Sequence, residues 1–485
     1  MAKKIFLIRA HKDLNAGGAV PPLGLLYIAS SIIRSFKDLY DIKIFNTGLN
    51  GVSVGSLSDE FKRCQPDLLG ISAMTCEAGL MNELARAAKA VNNDIVIIAG
   101  GPHAALAGAG ILENRDIDFV IAGEGEEAIA GLLTALDKGS GFSDIPGLSY
   151  RSAGKAVSNA FRRHPQDLDK FNILPEAWDL IDLKCYSGYP NWNGARKNKY
   201  YAPIFTSRGC PFKCFFCRSR DTFGNEFRAR SAGDVIDEIV FLKEKFGIKE
   251  LHVYDDVFNY DPVRAKAICR GIIEKKLGLA IAFPNGLRAD MVDDEMLDLF
   301  RLAGVYKINY GIESVSRRVQ KSLGKDLDLA KVENTINKTV KSGIITTGYF
   351  IFGFPGESRE DILETIYFAA NSALDNAYFF KFTDFSSLNA RASRGEGGLE
   401  QSHFHSPESL PGMIPVAELN GLILKAQQHF YGDPRRICRG FLRSPGKGAF
   451  VKNLLNALSL LILSYIMMKL AKPQQERAAD KGQKL

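Results

Sequence analysis

The sequence predicts an α/β protein: an N-terminal doubly wound, Rossmann-like domain, a partial TIM barrel after it, and a helical C-terminal region. Short apolar runs alternate with segments of helical spacing across residues 1–135, and the same alternation returns across residues 201–385. Short buried strands separated by helices are typical of parallel sheets. The chain has 485 residues, of which 46% are hydrophobic and 24% charged, so we expect a globular protein of roughly two to four domains.

The first alternating segment predicts five strands and a shared ligand rim. The predicted strands are Ile5–Ile8, Ile42–Phe45, Leu68–Ser72, Ile95–Ala99 and Phe119–Ile121. Polar or glycine-rich segments follow three of these strands, namely Ser72–Thr75, Gly100–His103 and Gly123–Glu127. Because doubly wound sheets bind ligands beyond the carboxyl ends of their strands, we expect these three segments to lie on one binding rim.

The second alternating segment predicts six β/α units, which indicate a partial or complete barrel. Its predicted strands are Ile204–Ser207, Glu250–Tyr254, Ile281–Pro284, Lys307–Tyr310, Thr347–Phe352 and Tyr378–Thr383. Polar, turn-rich sequence precedes the barrel, and Gly, Ser and Pro are frequent in residues 390–412. We therefore divide the chain into a first domain (1–140), a connector (141–200), a barrel (201–390) and a helical region (391–485).

Charge and cysteine content predict a cytoplasmic protein without a nucleic-acid partner. The net charge is +7, but residues 1–150 carry 13 basic and 17 acidic residues, whereas residues 391–485 carry 14 and 7. A net charge of +7 is small for a chain of 485 residues, which argues against a nucleic-acid partner. Eight cysteines are too few for a disulfide scaffold. The apolar run Ile5–Ile8 is too short for a signal peptide and is typical of a first strand.

Three of the cysteines form one cluster, Cys210, Cys214 and Cys217, with the spacing C-x-x-x-C-x-x-C directly after a predicted strand. Thiolates in such a loop can hold one face of an iron–sulfur cubane. These clusters normally take four cysteines, so three would leave one iron open to a substrate or cofactor. We expect the flanking basic residues to favour the thiolate form; these are Arg208, Lys213, Arg218 and Arg220.

The alternative for this cluster is a zinc knuckle or a set of buried thiols. Zinc requires a fourth ligand, usually from a second compact pair, and no further Cys or His pair of that spacing occurs in the sequence. We interpret the remaining cysteines as small apolar residues; they are Cys64, Cys76, Cys185, Cys269 and Cys438.

The cysteine motif, with Phe216 before its last cysteine, resembles the signature of the radical S-adenosylmethionine (SAM) superfamily. The resemblance implies that the three cysteines hold a 4Fe–4S cluster and that SAM chelates the fourth iron. One electron, from a donor such as a flavodoxin or ferredoxin, then cleaves SAM to methionine and a 5′-deoxyadenosyl radical.

The same resemblance implies that SAM is bound by Phe216, Glu313, Gly353 and Pro355. Glu313 belongs to Tyr310-Gly311-Ile312-Glu313-Ser314, and the glycine and proline belong to Gly348–Glu357. The alternative for Glu313 is an acid that pairs with a helix N-terminus. Asp255-Asp256 after the second barrel strand also fits the subfamily, but the family's Pro-Gly-Thr after the sixth strand is replaced here by Phe385–Asn389.

The N-terminal domain resembles that of cobalamin-binding radical SAM enzymes, through Pro21–Leu25 and the three rim segments. The resemblance implies that cobalamin is bound by Ser72, Met74, Thr75, Gly100, Gly101, Pro102, Gly123 and Glu124. The D-x-H-x-x-G motif that supplies a cobalt-binding histidine is absent, because this stretch is Arg9–Asn15. We therefore interpret His11 and His103 as loop histidines and not as metal ligands.

The C-terminal region combines a basic segment with the longest apolar run. Residues 435–452 hold six basic and no acidic residues, and 16 uncharged residues follow in 453–468. One interpretation is a helix packed on the protein or on a partner. The other is an interfacial helix at the surface of the inner membrane, which would suit a lipid-like substrate.

Together these patterns predict a radical SAM enzyme with a 4Fe–4S cluster, SAM and cobalamin, most concretely a methyltransferase acting on an unactivated carbon of a small or lipophilic metabolite. One alternative is a radical SAM oxidative cyclase or ring-rearranging enzyme without methyl transfer. An alternative of another class is a non-catalytic cobalamin- or metal-binding sensor. A methylthiotransferase is disfavoured, because such enzymes carry three further cysteines in the N-terminal domain and this one has only Cys64 and Cys76.

Overall fold

The computed structural model describes residues 2–11, 19–161, 164–187, 196–384 and 413–448, together with Val451 and Leu455. Its first sheet confirms the five predicted strands, which run parallel in the order β2-β1-β3-β4-β5. These are β1 (Lys3–Arg9), β2 (Tyr40–Asn46), β3 (Leu68–Ser72), β4 (Val96–Gly100) and β5 (Phe119–Ile121).

Helices cover both faces of this sheet, as the continuous apolar runs of its strands require. Alternate side chains of β1 point to opposite faces: Ile5 and Leu7 pack with one layer of helices, and Phe6 and Ile8 with the other. The first layer contains α1 (Leu23–Phe36) and α5 (Glu126–Lys138). The second layer contains α2 (Val54–Cys64), α3 (Ala78–Val91) and α4 (Pro102–Ala107).

The predicted connector is more regular than its composition indicates. Strands β6 (Leu148–Ser152) and β7 (Lys155–Ser158) form an antiparallel hairpin that extends the first sheet beyond β5. Ala153 and Gly154 at its turn both have positive φ, which is the backbone that tight two-residue hairpins require. The strands are short and polar on one face, so they leave little periodic signal. A short helix, α6 (Pro175–Trp178), follows.

The barrel is a six-stranded parallel sheet in the order β15-β14-β13-β12-β11-β8, and it confirms the six predicted β/α units. Its strands are β8 (Tyr201–Ile204), β11 (Glu250–Val253), β12 (Ala280–Leu287), β13 (Val305–Glu313), β14 (Ile345–Phe352) and β15 (Asn376–Lys381). Its helices are α7 (Ser219–Phe223), α8 (Ala232–Phe246), α9 (Pro262–Glu274), α10 (Asp294–Ala303), α11 (Arg317–Leu323), α12 (Leu329–Lys341) and α13 (Arg359–Asn371).

The first predicted barrel strand is divided into two. After β8 the chain leaves the barrel sheet, and β9 (Ser207–Arg208) pairs antiparallel with β10 (Arg228–Ala229). The carboxylate of Asp255 stabilises the backbone at the break between β8 and β9. It accepts hydrogen bonds from the Thr206 backbone N–H and the Ser207 hydroxyl, both at 2.6 Å.

The C-terminal part contains α14 (Val416–Tyr431) and α15 (Pro434–Arg443), which pack on the last barrel units. Three of the four arginines of α15 donate to backbone carbonyls near the end of α13 or to Asp375; these are Arg436, Arg439 and Arg443. Three of the six basic residues of the segment 435–452 are thus used inside the protein, where cations stabilise a helix C-terminus.

In the described part of the chain, no helix has the length and apolar character needed to cross a membrane. The apolar segment 453–468 lies outside the described residues except for Leu455.

Candidate functional site

The three clustered cysteines lie on one loop that follows β9 at the carboxyl end of the barrel sheet. The loop begins at Gly209, whose φ is +78°; a Cβ at this position would lie only 2.2 Å from the Glu226 carbonyl oxygen. Only glycine fits such a position without moving the backbone.

Burial governs the chemistry of these thiols. It raises the pKa of Cys210 and Cys214, and it raises the pKa of Cys217 to about 12. The prediction that flanking basic residues favour the thiolate is wrong for the metal-free loop, since desolvation disfavours the charged form more strongly. Arg208 turns away from the loop and pairs with Glu124 and Glu126.

Two cations that are far from the cysteine motif in the sequence lower the pKa of these thiols and so oppose the effect of burial. Arg288 lowers the pKa of Cys210 and Cys214, and Lys325 lowers that of Cys214. The Arg288 guanidinium lies 3.9 Å from the centre of the Phe212 ring and donates to the Lys325 carbonyl at 3.0 Å. These two residues therefore hold the loop and supply it with positive charge.

The donor set fits an iron–sulfur cluster. The three thiols are free and close enough to interact electrostatically with one another. Within the described ranges, no three His, Cys, Asp or Glu side chains converge on a single metal-ion position. A cubane does not require such convergence, because each thiolate would bind a different iron.

Glu313 lies beside the cysteine loop, at the end of β13. Its buried carboxylate accepts a 2.7 Å hydrogen bond from Lys325 Nζ. Its φ of +66° is unusual for a residue with a Cβ, and such strain is concentrated at functional sites. The alternative of a helix N-terminal acid does not match the structure, because α11 begins only at Arg317 and is capped by Ser316.

The Gly353–Glu357 turn adjoins the same loop. Phe354 packs against Phe216 at 5.5 Å between ring centres. The carboxylate of Glu357 accepts hydrogen bonds from the backbone N–H of Gly353 at 2.6 Å and of Phe354 at 3.1 Å. The structure thus brings the segments of the four predicted SAM residues, Phe216, Glu313, Gly353 and Pro355, around one loop, although their roles stay predictions.

The buried Glu357 should make folding stability depend on pH. Burial raises its pKa from the ordinary 4.5 to about 7, so the folded chain binds this proton more tightly than the unfolded chain. Its contribution is complete below pH 4.5 and is lost as the pH rises towards 7, by about 3 kcal/mol in total. In urea unfolding from pH 4.5 to 8, Glu357→Gln should lose this part of the pH dependence. Parallel profiles for the two proteins would contradict the assignment.

The three segments of the predicted cobalamin rim follow β3, β4 and β5, which are parallel neighbours, so all three lie at one edge of the sheet. Ser72 and Gly101 are in direct contact, since a Cβ on Gly101 would lie 2.5 Å from Ser72 Oγ. The His103 N–H donates to the Ala73 carbonyl at 3.0 Å, so the segments after β3 and β4 form one surface. The glycine at 101 is therefore already required by the protein's own packing, before any ligand is considered.

The third rim segment, Gly123–Glu127, contacts the barrel through Glu124 and Glu126. A Cβ on Gly123 would lie 2.2 Å from the Phe161 ring. Both oxygens of the Glu124 carboxylate are bonded to arginines of the barrel, Arg208 and Arg228. The sequence offered no signal for this pairing, and the predicted contact of Glu124 with cobalamin stays a prediction.

Neither singled-out histidine is a free loop histidine. Nδ1 of His11 lies 2.7 Å from Glu77 Oε1, and its ring packs against Gly48. His103 belongs to α4, and burial lowers its pKa to about 4, so it is neutral at physiological pH. The interpretation as loop residues is wrong for His103 and incomplete for His11, because both are held by packing between strand ends.

Comparison with known proteins identifies the class. The family model of the B12 binding domain matches residues 13–133, and that of the radical SAM superfamily matches residues 204–369. An uncharacterized methyltransferase of Pyrococcus horikoshii is 32% identical over 368 residues, which cover 75% of this chain and 76% of that protein. The chain therefore belongs to the radical SAM superfamily and carries a B12-binding domain ahead of its barrel, and it is an enzyme of this class.

The chain is also similar in sequence to a cyclase and in fold to a methyltransferase of known structure. The anaerobic magnesium-protoporphyrin IX monomethyl ester cyclase of Rubrivivax gelatinosus is 25% identical over 435 residues, 87% of this chain and 76% of that one. The radical S-adenosylmethionine methyltransferase TsrM of Kitasatospora setae was solved with cobalamin and a 4Fe–4S cluster bound. It shares the fold, with a TM-score of 0.63 at 20% identity over 79% of this chain and 75% of that one.

Proposed function

We propose that this enzyme binds a 4Fe–4S cluster, SAM and cobalamin and methylates an unactivated carbon of a small or lipophilic metabolite. The observation that carries the proposal is the cysteine loop, which is surrounded by Glu313, the Gly353–Glu357 turn and an attached B12-binding domain. When bound, the cluster and cobalamin would supply radical formation and methyl transfer.

The protein's own residues would bind and orient the reactants. Cys210, Cys214 and Cys217 would ligate three irons and leave the fourth open to SAM. The Glu313 carboxylate can accept hydrogen bonds from SAM hydroxyl or ammonium groups, and Lys325 beside it holds that carboxylate in place. The backbone around Gly353 can lie close to the adenine, since its φ is +87° and it carries no Cβ.

The test is anaerobic reconstitution with iron, sulfide, SAM, a low-potential reductant and methylcobalamin. A flavodoxin or ferredoxin would serve as the natural electron donor. We expect a brown cluster and the release of both 5′-deoxyadenosine and S-adenosylhomocysteine. Cluster formation without any SAM cleavage would refute the enzymatic proposal.

The cyclase similarity favours one second candidate, a radical SAM cyclase or ring-rearranging enzyme without methyl transfer. The same assay separates the two functions, because a cyclase would release 5′-deoxyadenosine but no S-adenosylhomocysteine. Uptake of cobalamin without turnover under any of these conditions would favour the sensor instead.

Most arginines of α15 bond groups of the protein itself and are not available to anionic lipid. The prediction of peripheral membrane association therefore rests on the apolar segment 453–468. We expect full-length protein to float with anionic vesicles more than a 1–450 truncation does, since burial of apolar side chains drives interfacial binding. Equal partitioning of the two proteins in a flotation assay would contradict the membrane prediction.

A further inference from the structure

A buried ion cluster joins the B12-binding domain to the barrel beside the cysteine loop. The Glu124 carboxylate accepts from Arg208 Nη1 at 2.6 Å through one oxygen and from Arg228 through the other. Arg208 also bonds Glu126 at 2.7 Å. The side chains of these four residues are at most 6% exposed, so the pairs are shielded from water and salt.

The two arginines stand directly opposite each other in the antiparallel β9–β10 ribbon. Like charges at directly opposed positions destabilise a strand pair, and burial increases the cost of any charge left without a partner. Among the ion pairs of the described residues, Glu124 is the carboxylate that contacts both arginines. The pairing of this ribbon therefore depends on a charge that comes from the other domain.

The ribbon closes the segment 209–227, which contains all three clustered cysteines. Gly209 connects β9 to the first cysteine and packs closely against the backbone that precedes β10, since a Cβ on it would lie 2.2 Å from the Glu226 carbonyl oxygen. On the other side Arg228 donates to the Phe223 carbonyl at 2.8 Å, within the same segment. A change in the ribbon would thus be transmitted directly to the cysteine loop.

We propose that Glu124 is a positioning residue by which the B12-binding domain holds the cysteine loop in its cluster-binding conformation. The loop's use as a cluster site rests on the proposed function above. The positioning itself is a property of the metal-free chain and can be measured without a cluster. In this role Glu124 acts through Arg208 and Arg228.

The experiment compares Glu124→Gln with Glu250→Gln in the full-length, metal-free protein. Glu250 is an equally buried carboxylate at the opposite, amino end of the barrel, where it accepts from the Asn198 N–H at 2.6 Å and Tyr306 at 2.7 Å. Alkylation by N-ethylmaleimide is followed by mass spectrometry at Cys210, Cys214 and Cys217. The buried Cys269 of α9 is the internal reference.

We expect the three loop cysteines to react about fivefold or more faster in Glu124→Gln, because losing the bridging charge lowers the free energy of local opening. Glu250→Gln should lower thermal stability without this selective change. The double variant Glu124→Gln/Arg228→Met removes the opposed charge as well, so its loop should react more slowly than that of Glu124→Gln, even if the single variant folds poorly.

Equal loop reactivity in wild type and Glu124→Gln would overturn the proposal, and so would an equal increase in Glu250→Gln. Iron content after reconstitution gives the independent measurement: Glu124→Gln should retain less iron than Glu250→Gln. If wild type itself forms no cluster while the alkylation pattern holds, the proposed function fails and the positioning role of Glu124 stands.

Discussion

Cys214→Ala should abolish the 4Fe–4S absorption band of the reconstituted enzyme and reduce SAM cleavage by more than about a hundredfold. Changes to residues that merely support a metal ligand cost roughly 10- to 100-fold, so removal of a ligand itself costs more. Of the three cysteines, Cys214 has the least solvent-exposed side chain, and the charges of both Lys325 and Glu313 act on its thiol. The measurement is 5′-deoxyadenosine release, together with iron and sulfide content.

Cys269→Ala provides the matched control. Cys269 is also buried, but it packs among apolar residues of α9 in the main core. Its replacement should cost about 1 kcal/mol of packing energy and leave cluster content and SAM cleavage near those of wild type. A Cys214→Ala protein that still cleaves SAM would show that the cluster site is elsewhere.

Gly209→Ala should have the second largest effect, a loss of several kcal/mol in the free energy of unfolding together with most of the bound iron. The positive φ costs about 1–2 kcal/mol for a residue with a Cβ. The clash at 2.2 Å with the Glu226 carbonyl adds to this cost, because backbone on both sides of the β9–β10 ribbon would have to move. Urea unfolding and iron analysis measure the two effects.

Gly247→Ala separates the backbone cost from the clash. Gly247 ends α8 with a φ of +63°, and a Cβ there would meet no atom within 4 Å. We expect a loss of about 1–2 kcal/mol, from the left-handed backbone alone, and an unchanged cluster. If the two variants lost the same stability and kept the same iron, the close approach at Gly209 would not matter for the loop.

Most of the architecture was predictable because it depends on local pattern. The apolar runs of the strands are short and continuous, so the five parallel strands of the first sheet and the six of the barrel could be located. The β6–β7 hairpin was missed because its strands are short and partly polar. The division of the first barrel strand was missed because Asp255, which stabilises it, lies about 50 residues away.

The candidate site was predictable in its motifs but not in its charges. The cysteine spacing, Glu313 and the Gly353–Glu357 turn are local signals, and the structure brings them together. Lys325 and Arg288 have no motif of their own, and they lie 111 and 74 residues beyond Cys214 in the sequence. Their effect on the thiols depends only on distance in space, so no local pattern could identify them.

The sequence by itself determined that a doubly wound domain precedes a barrel, that three cysteines cluster in one segment, and that this segment follows the first barrel strand. These properties follow from periodicity and from residue type, which neighbouring residues decide. Only the tertiary structure decided which charges are paired: Glu124 with Arg208 and Arg228, and the α15 arginines with carbonyls and Asp375. The physical reason is that Coulomb interactions and desolvation depend on separation and burial, which are set once distant segments have packed together.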